Sequence, residues 1–285
     1  MNKKMLLTVF LFVAVWLLPS SGAAEIQIKQ KENIAFLGDS ITYQGNNLNI
    51  GYINLLYSAL NANGIKAGRI ASGINGSRVA DMQRRFERDI LRRKPQHLIL
   101  NCGIYDSLQG GNRKAVLEQY KKTVRQIVDK AQQGGMKVYI LTATMISENL
   151  NNANNKRLIP YNDFLRQLAK EKKCVLVDLN QNMQTRLSEI RKLYPRARGN
   201  LLTTDGINMN PMGHMMVALS LLKTFGLTDN QIAKASDDWM RRRYTFYPAV
   251  TVSLKEYLRL SEKAFAAGMD VAAYMNKLLR DDLRK

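Results

Sequence analysis

The stretch Asn33-Ile34-Ala35-Phe36-Leu37-Gly38-Asp39-Ser40-Ile41-Thr42 decides how the rest of the chain is interpreted. Its apolar residues 34–37 predict a buried strand, because a run of this kind leaves no polar face. Gly38 then allows the backbone to turn sharply, so that Ser40 lies at the carboxyl end of the strand. Open α/β sheets place their chemistry at that end, and Ser40 is therefore the first candidate functional residue.

Further apolar runs predict four more strands, with helical periodicity between them. The predicted strands cover residues 69–72, 97–102, 137–145 and 174–179, and predicted helices cover residues 50–64, 116–130 and 160–173. The asparagine-rich segment 148–155 predicts a surface loop, and Asn210 followed by Pro211 predicts the start of a last helix. This alternation predicts an α/β fold of three layers, α/β/α, around a five-stranded parallel sheet.

Length and charge bound the function. The 285 residues suffice for one substantial core and a small appendage. The 43 lysines and arginines against 23 acidic residues give a formal net charge of +20, which favours anionic partners: acidic glycans, anionic lipid headgroups or nucleic acid. The densest basic run, 84–94, predicts a helix with a solvated basic face, with a dedicated binding patch as the alternative.

The amino terminus resembles an export signal. Lys3 and Lys4 precede the apolar stretch 5–18, and small residues follow at 19–24, which predicts cleavage after Ala23 or Ala24 and a periplasmic or secreted protein. The alternative is an uncleaved membrane anchor, although the stretch is shorter than the roughly 20 residues that a spanning helix needs. No cysteine lies in the first 24 residues, which argues against a lipoprotein anchor.

The few cysteines and histidines give no support for a metal site, and no cofactor is expected. The chain has two histidines and two cysteines, and neither pair is close in sequence. Cys102 lies late in its predicted strand and Cys174 early in its own. Parallel strands would hold these thiols at opposite ends of the sheet, which favours free thiols over a disulfide.

Residues 31–226 resemble the SGNH (GDSL-type) hydrolases, a family of esterases, lipases and acyl hydrolases. The blocks that carry the resemblance are Gly38-Asp39-Ser40, residues 71–82, Gly103-Ile104-Tyr105-Asp106 and Asp205-Gly206-Ile207-Asn208, with further similarity at Tyr161-Asn162, Leu168-Ala169 and Val177-Asp178-Leu179. The resemblance implies the flavodoxin-like SGNH hydrolase fold and hydrolysis of acyl esters.

The resemblance also implies roles for individual residues. Ser40 takes the place of the nucleophile, and its backbone N–H and that of Gly73 would contribute to the oxyanion hole. Tyr105 stands where the family has an asparagine that supplies the third oxyanion hydrogen bond. Because a phenol is longer and rigid, its hydroxyl is expected several ångströms from the position of that amide.

The block Asp205-Gly206-Ile207-Asn208 departs from the family pattern at the position of the base. Asp205 is present, but Asn208 occupies the position of the histidine that activates the serine. An asparagine cannot accept a proton near neutral pH, and losses of this kind cost about 10³ to 10⁶ in rate. His97 begins its strand and would lie about 16 Å from the site. His214 is closer, in the first turn of the last helix, where a packing residue is expected and a replacement base is the alternative.

The carboxyl-terminal segment is a separate prediction. After a basic linker at 227–248, a strand at 249–254 and two helices, 255–267 and 271–284, resemble a ribbon-helix-helix module, which would form a homodimer through residues 249–285. The outward positions of the strand carry no residue suited to reading bases, and export also argues against DNA. The alternative is a helical hairpin packed on the main domain, residues 31–226.

Three functions follow from these observations. The first is an exported esterase-like hydrolase that acts through Ser40 on acyl esters of the O-acetyl or lipid class, with activity weakened or lost. The second is a catalytically silent protein that binds an anionic glycan or lipid. The third is nucleic-acid binding through the carboxyl-terminal module, which would require that residues 1–24 do not direct export.

Overall fold

The centre of the protein is a five-stranded parallel sheet in the order β2-β1-β3-β4-β5. The computed structural model describes residues 26–246 and 250–282, so the predicted export signal at 1–24 lies outside the described residues. The strands are β1 Asn33–Gly38, β2 Gly68–Gly73, β3 His97–Asn101, β4 Lys137–Leu141 and β5 Val175–Val177. The sheet predicted from the sequence is confirmed.

Helices cover both faces of the sheet. They are α1 Ser40–Asn47, α2 Tyr52–Ala62, α3 Val79–Asp89, α4 Ile104–Ser107, α5 Arg113–Gln133, α6 Ala153–Glu171, α7 Leu179–Leu193 and α8 Pro211–Thr224, with a 3₁₀ turn at Leu91–Arg93. Helix α2 packs against α8, while α5 packs against α3 and α6. This arrangement is the predicted three-layer α/β/α fold. No helix among the described residues is long and apolar enough to cross a membrane.

The apolar run of β1 is continuous because the strand is central in the sheet. Ile34, Phe36 and Leu37 are fully buried, and β1 pairs with β2 on one side and β3 on the other. The register places Gly38 opposite Gly73. Because the strands are parallel, the segments that follow them meet at one edge, where the candidate site residues lie.

Helix α6 begins earlier than the sequence predicts. The predicted helix starts at Pro160, but α6 starts at Ala153, where the Asn152 side chain caps it by accepting from the Asn154 N–H at 2.8 Å. The predicted surface loop at 148–155 is correspondingly shorter. Pro160 lies inside the helix, where its missing N–H removes one helical hydrogen bond.

The carboxyl-terminal part packs on the main domain. Its elements are α9 Asp229–Ala233, α10 Ser236–Arg241, β6 Arg243–Phe246, β7 Val250–Ser253, α11 Leu254–Ala266 and α12 Val271–Asp282. The segment predicted as a linker thus contains two short helices, and Trp239 Nε1 donates to the Leu55 carbonyl at 3.1 Å. Strand β7 pairs antiparallel with β6 of the same chain. The homodimer through residues 249–285 stays a prediction.

Candidate active site

Ser40 begins helix α1 directly after β1. The Asp39 side chain caps the helix, because its Oδ1 accepts from the Ile41 N–H at 3.0 Å. Ser40 is 3% exposed. Its backbone N–H, at the first helical position, has no acceptor among the described residues, as expected for the first turn of a helix. A free N–H beside a serine hydroxyl is the geometry that an oxyanion site requires.

Gly73 lies next to this helix start because it has no side chain. A Cβ at Gly73 would lie 2.2 Å from the Tyr43 nitrogen and 2.6 Å from the Thr42 carbonyl carbon. The end of β2 can therefore approach the first turn of α1 only with glycine at this position. The structure thus places Gly73 against the first turn of α1, the turn that Ser40 begins, and the oxyanion role of Gly73 stays a prediction.

Tyr105 contacts the candidate nucleophile itself. Its hydroxyl lies 3.0 Å from Ser40 Oγ, and either oxygen can be the donor. Tyr105 is held there by the short helix α4, which Gly103 initiates with a φ of +121° that favours glycine. The phenol thus occupies the hydrogen-bonding position beside Ser40 Oγ that a general base would need.

Two buried carboxyl groups flank Ser40 and Tyr105. Burial raises the pKa of Asp39 to about 7 and that of Asp106 to about 6. Both oxygens of Asp106 lie 3.2 Å from the Val79 nitrogen, so this carboxyl caps α3. Asp106 therefore joins the loop after β3 to the helix that follows β2.

Asp205 and Asn208 are joined by two hydrogen bonds. Asp205 Oδ1 accepts from the Asn208 N–H at 2.7 Å, and Asp205 Oδ2 accepts from Asn208 Nδ2 at 2.7 Å. The carboxylate therefore orients the amide as it would orient an imidazole. Asn208 Oδ1 is buried without a partner among the described residues, and no hydrogen bond there joins Asn208 to Ser40.

Among the described residues, no hydrogen bond joins either histidine to Ser40. His214 is fully buried and its Nδ1 accepts from the Tyr52 N–H at 3.4 Å, while burial lowers its pKa to about 3. His214 therefore stays neutral near pH 7 and is a packing residue of α8 that is hydrogen-bonded to α2. His97 lies 2.8 Å from Glu32 at the amino end of β3, as its strand position predicts.

Arg85 is a site-supporting residue that the sequence interpretation missed. It is 7% exposed, so the prediction of a solvated basic face is wrong at this position. Its guanidinium donates to the Gly38 carbonyl at 2.9 Å and to the Ser72 carbonyl at 2.7 Å, which ties the ends of β1 and β2 together just before Ser40 and Gly73. The available signal was its place on the apolar stripe of α3, between Met82 and Phe86.

Glu148 supports the loop that carries Asp205 and Asn208. It is 2% exposed, and its carboxylate accepts from the N–H groups of Leu201 at 2.6 Å, Leu202 at 2.7 Å and Thr203 at 2.7 Å. The Thr203 hydroxyl adds a fourth hydrogen bond at 2.7 Å. Sequence interpretation placed Glu148 in a surface loop, because a partner more than 50 positions away leaves no local pattern.

No group of three or more histidine, cysteine, aspartate or glutamate side chains in the described part of the chain is arranged to hold a metal ion. Cys102 is buried and Cys174 is half-buried, and both are free thiols. Burial raises the pKa of Cys174 to about 11, which keeps this thiol protonated near neutral pH.

The parallel α/β sheet, with a serine at the start of the helix after its first strand, matches the fold of SGNH-type hydrolases. The sequence model of the GDSL-like Lipase/Acylhydrolase family matches residues 36–215, and the chain belongs to this family of acyl-ester hydrolases.

The similar proteins include acetylxylan esterases. The acetylxylan esterase of Geobacillus stearothermophilus is 26% identical over 237 residues, which covers 76% of this chain and 100% of that protein. The crystal structure of the acetyl xylan esterase AlAXEase is 27% identical with a TM-score of 0.61, and the match covers 67% of this chain and 98% of that one. The crystal structure of Axe2, an acetylxylan esterase from Geobacillus stearothermophilus, has a TM-score of 0.62 at 24% identity, over 71% of this chain and 98% of that one.

Structures of catalytic mutants of Axe2 replace a serine, an aspartate or a histidine by alanine. The histidine follows the aspartate by three positions in that esterase. In this chain the residue three positions after Asp205 is Asn208.

Proposed function

We propose that this protein binds O-acylated carbohydrate of the O-acetyl class at Ser40 and hydrolyses the ester at a low rate. The observation that carries the proposal is the placement of Ser40 at the start of α1 beside Gly73, with its hydroxyl bonded to Tyr105 at 3.0 Å. Membership of an acyl-ester hydrolase family and the acetylxylan esterases among the relatives support this substrate class.

The low rate follows from the missing base. Asn208 holds the position of the family histidine but its amide has no basic nitrogen, so the Ser40 proton has to leave to solvent. Turnover is then about 10³ to 10⁶ below that of an intact triad. The rate should also keep rising above about pH 8, where an imidazole base would already be deprotonated and the rate would be level.

Hydrolysis of p-nitrophenyl acetate and of acetylated xylo-oligosaccharides tests the proposal. We expect slow release of acetate by the wild type that Ser40→Ala abolishes, and a gain in Asn208→His. The double variant Tyr105→Asn with Asn208→His, which restores the family pattern, should be faster still. Turnover that persists in Ser40→Ala would place the chemistry elsewhere. Comparison with p-nitrophenyl palmitate separates the acetyl class from lipid esters.

The second candidate is a catalytically silent protein that binds an anionic glycan or lipid. Two observations favour it. Asp205 and Asn208 are hydrogen-bonded to each other, and neither has a hydrogen bond to Ser40 among the described residues. The net charge of +20 favours an anionic ligand. Wild type without any turnover, together with salt-dependent binding of an acidic oligosaccharide, would replace the first proposal by this one.

Export is part of the proposal. The basic residues Lys3 and Lys4, the apolar stretch 5–18 and the small residues 19–24 support a cleaved signal. Cell fractionation and the mass of the mature protein test it. A protein shortened by about 24 residues outside the cytoplasm supports export, and an uncleaved cytoplasmic protein reopens the nucleic-acid hypothesis.

A further inference from the structure

A cleft separate from the Ser40 site lies at the same edge of the sheet, beyond the ends of β4 and β5. It has a volume of about 290 Å³ and lies between one face of α6 and the first two turns of α7. Residues 155, 159, 162 and 166 follow one another at helical spacing along the α6 side. One strand, β3, separates β4 from the β1 strand of Ser40, so the cleft starts about two strand spacings of roughly 4.8 Å away.

The lining of the cleft is rich in side-chain amides. Five of its eight residues are asparagine or glutamine, and no carboxylate lines it among the residues that the structure describes. Its one charged residue, Arg166, is already neutralised by Asp178 at 2.8 Å and Asp163 at 2.9 Å.

The Asn155 amide is fully used within the chain, and Gln184 Nε2 donates to Asn180 Oδ1 at 2.8 Å. The side-chain oxygens of Gln181 and Gln184 have no donor among the described residues, and such acceptors match the hydroxyl groups of a neutral polyol rather than an anion.

Asn162 carries a buried acceptor without a donor. The residue is 2% exposed, and its Nδ2 donates to the Ala143 carbonyl at 2.9 Å, which fixes the orientation of the amide. Its Oδ1 has no hydrogen-bond partner in the described part of the chain. A buried acceptor is costly when it is unpaired, so a donor brought by a ligand would bind favourably here.

Apolar side chains complete the cleft. Leu150 is 38% exposed and Ile159 is 55% exposed, although both are large aliphatic residues. We propose that this cleft binds one neutral sugar unit of an oligosaccharide, with its hydroxyls on the amides and its C–H face on Leu150 and Ile159. The inference rests on the proposed function and extends it, because the cleft lies at the same edge of the sheet as Ser40.

Calorimetric binding of unacetylated xylotetraose tests the cleft without involving an ester. We expect the wild type to bind, Asn162→Leu to weaken the Kd by about tenfold, and the exposed changes Gln181→Ala and Ile159→Ala to weaken it by about threefold or more. The last two alter solvent-facing residues and so leave the fold intact. Gln126→Ala, the same amide deletion on the exposed face of α5, is the matched control and should bind as the wild type does.

The outcomes separate the two proposals. Xylotetraose binding that the three cleft variants weaken, in a protein that does not hydrolyse p-nitrophenyl acetate, supports the cleft and removes the esterase. Hydrolysis of p-nitrophenyl acetate without xylotetraose binding supports the esterase and overturns the sugar-binding role of the cleft. Xylotetraose binding that is equal in all variants also overturns that role. If tetragalacturonate binds more tightly than xylotetraose, and its binding depends on the same three residues, the proposal of a neutral ligand is wrong.

Discussion

Ser40 and Tyr105 share a hydrogen bond between two hydroxyl groups, each of which can donate or accept. An imidazole in this position would take the proton of the serine, whereas a neutral phenol only exchanges roles with it. The oxyanion side of the site differs, because a free backbone N–H and the close approach of Gly73 do not depend on a base. The residues thus keep the donors predicted for an oxyanion site, and no basic group is hydrogen-bonded to Ser40 among the described residues.

Arg85 is expected to stabilise the ends of β1 and β2. Arg85→Met removes the buried guanidinium that donates to the Gly38 and Ser72 carbonyls, which should lower the free energy of unfolding by about 2–4 kcal/mol. Urea denaturation measures the change. The matched variant Arg84→Met, whose side chain is 72% exposed, should change it by less than about 1 kcal/mol. Equal losses of stability in the two variants would mean that Arg85 does not stabilise the contact between β1 and β2.

His214 should make stability depend on pH. The unfolded chain protonates a histidine near its ordinary pKa of 6.5, whereas burial lowers the folded pKa to about 3. Between about pH 3 and pH 6.5 the unfolded state binds more protons than the folded state. The contribution of His214 to the free energy of unfolding is therefore complete above pH 6.5 and is lost as the pH falls. From pH 7 to pH 5 this loss is about 2 kcal/mol.

The neutral variant His214→Gln isolates this contribution. Urea unfolding of both proteins at pH 7 and pH 5 should show a smaller loss of stability in the variant, by about 2 kcal/mol. Asp39 and Asp106, whose raised pKa values act in the opposite direction, are present in both proteins and cancel in the comparison. An identical pH dependence in the two proteins would contradict a neutral buried His214.

At the scale of elements, the contact between β2 and α1 depends on a missing Cβ. Gly73→Ala would place a methyl group 2.2 Å from the Tyr43 nitrogen, so β2 or α1 has to shift. We expect a loss of about 1–3 kcal/mol in the free energy of unfolding. Gly110→Ala is the control, because nothing lies within 4 Å of its Cβ position. Tolerance of both changes would show that the helix start is not held by close packing.

The regular elements could be predicted because their signals are local. The apolar run of β1 and the cap at Asn210 with Pro211 are visible within a few residues, and both lie where predicted. The start of α6 was missed because its first turn is polar and Pro160 is typical of a helix start. Arg85 and Glu148 were missed because their partners, at Gly38 and Leu201, are distant in sequence.

At the scale of the whole molecule, the carboxyl-terminal part reaches the loop that leads to the candidate site. A Cβ at Gly199 would lie 2.1 Å from Asp270 Oδ2, and one at Gly268 would lie 2.7 Å from the Arg196 carbonyl. The turn between α11 and α12 is therefore in close contact with residues 196–199. The next residues, Leu201 to Thr203, are those that Glu148 binds. Residues 254–282 and the site are thus parts of one packed structure.

This packing predicts a single cooperative unfolding transition. Phe265, on α11, is 1% exposed and meets the Tyr194 ring edge-on at 5.7 Å between centroids. Phe265→Ala should therefore lower the free energy of unfolding by about 3–5 kcal/mol, and calorimetry should show the whole transition shifting to lower temperature. Leu279→Ala, on α12 and 46% exposed, should change stability by less than about 0.5 kcal/mol. If Phe265→Ala instead splits the transition in two, the carboxyl-terminal part folds as an independent unit, and its contact with residues 196–199 does not support the Asp205–Asn208 loop.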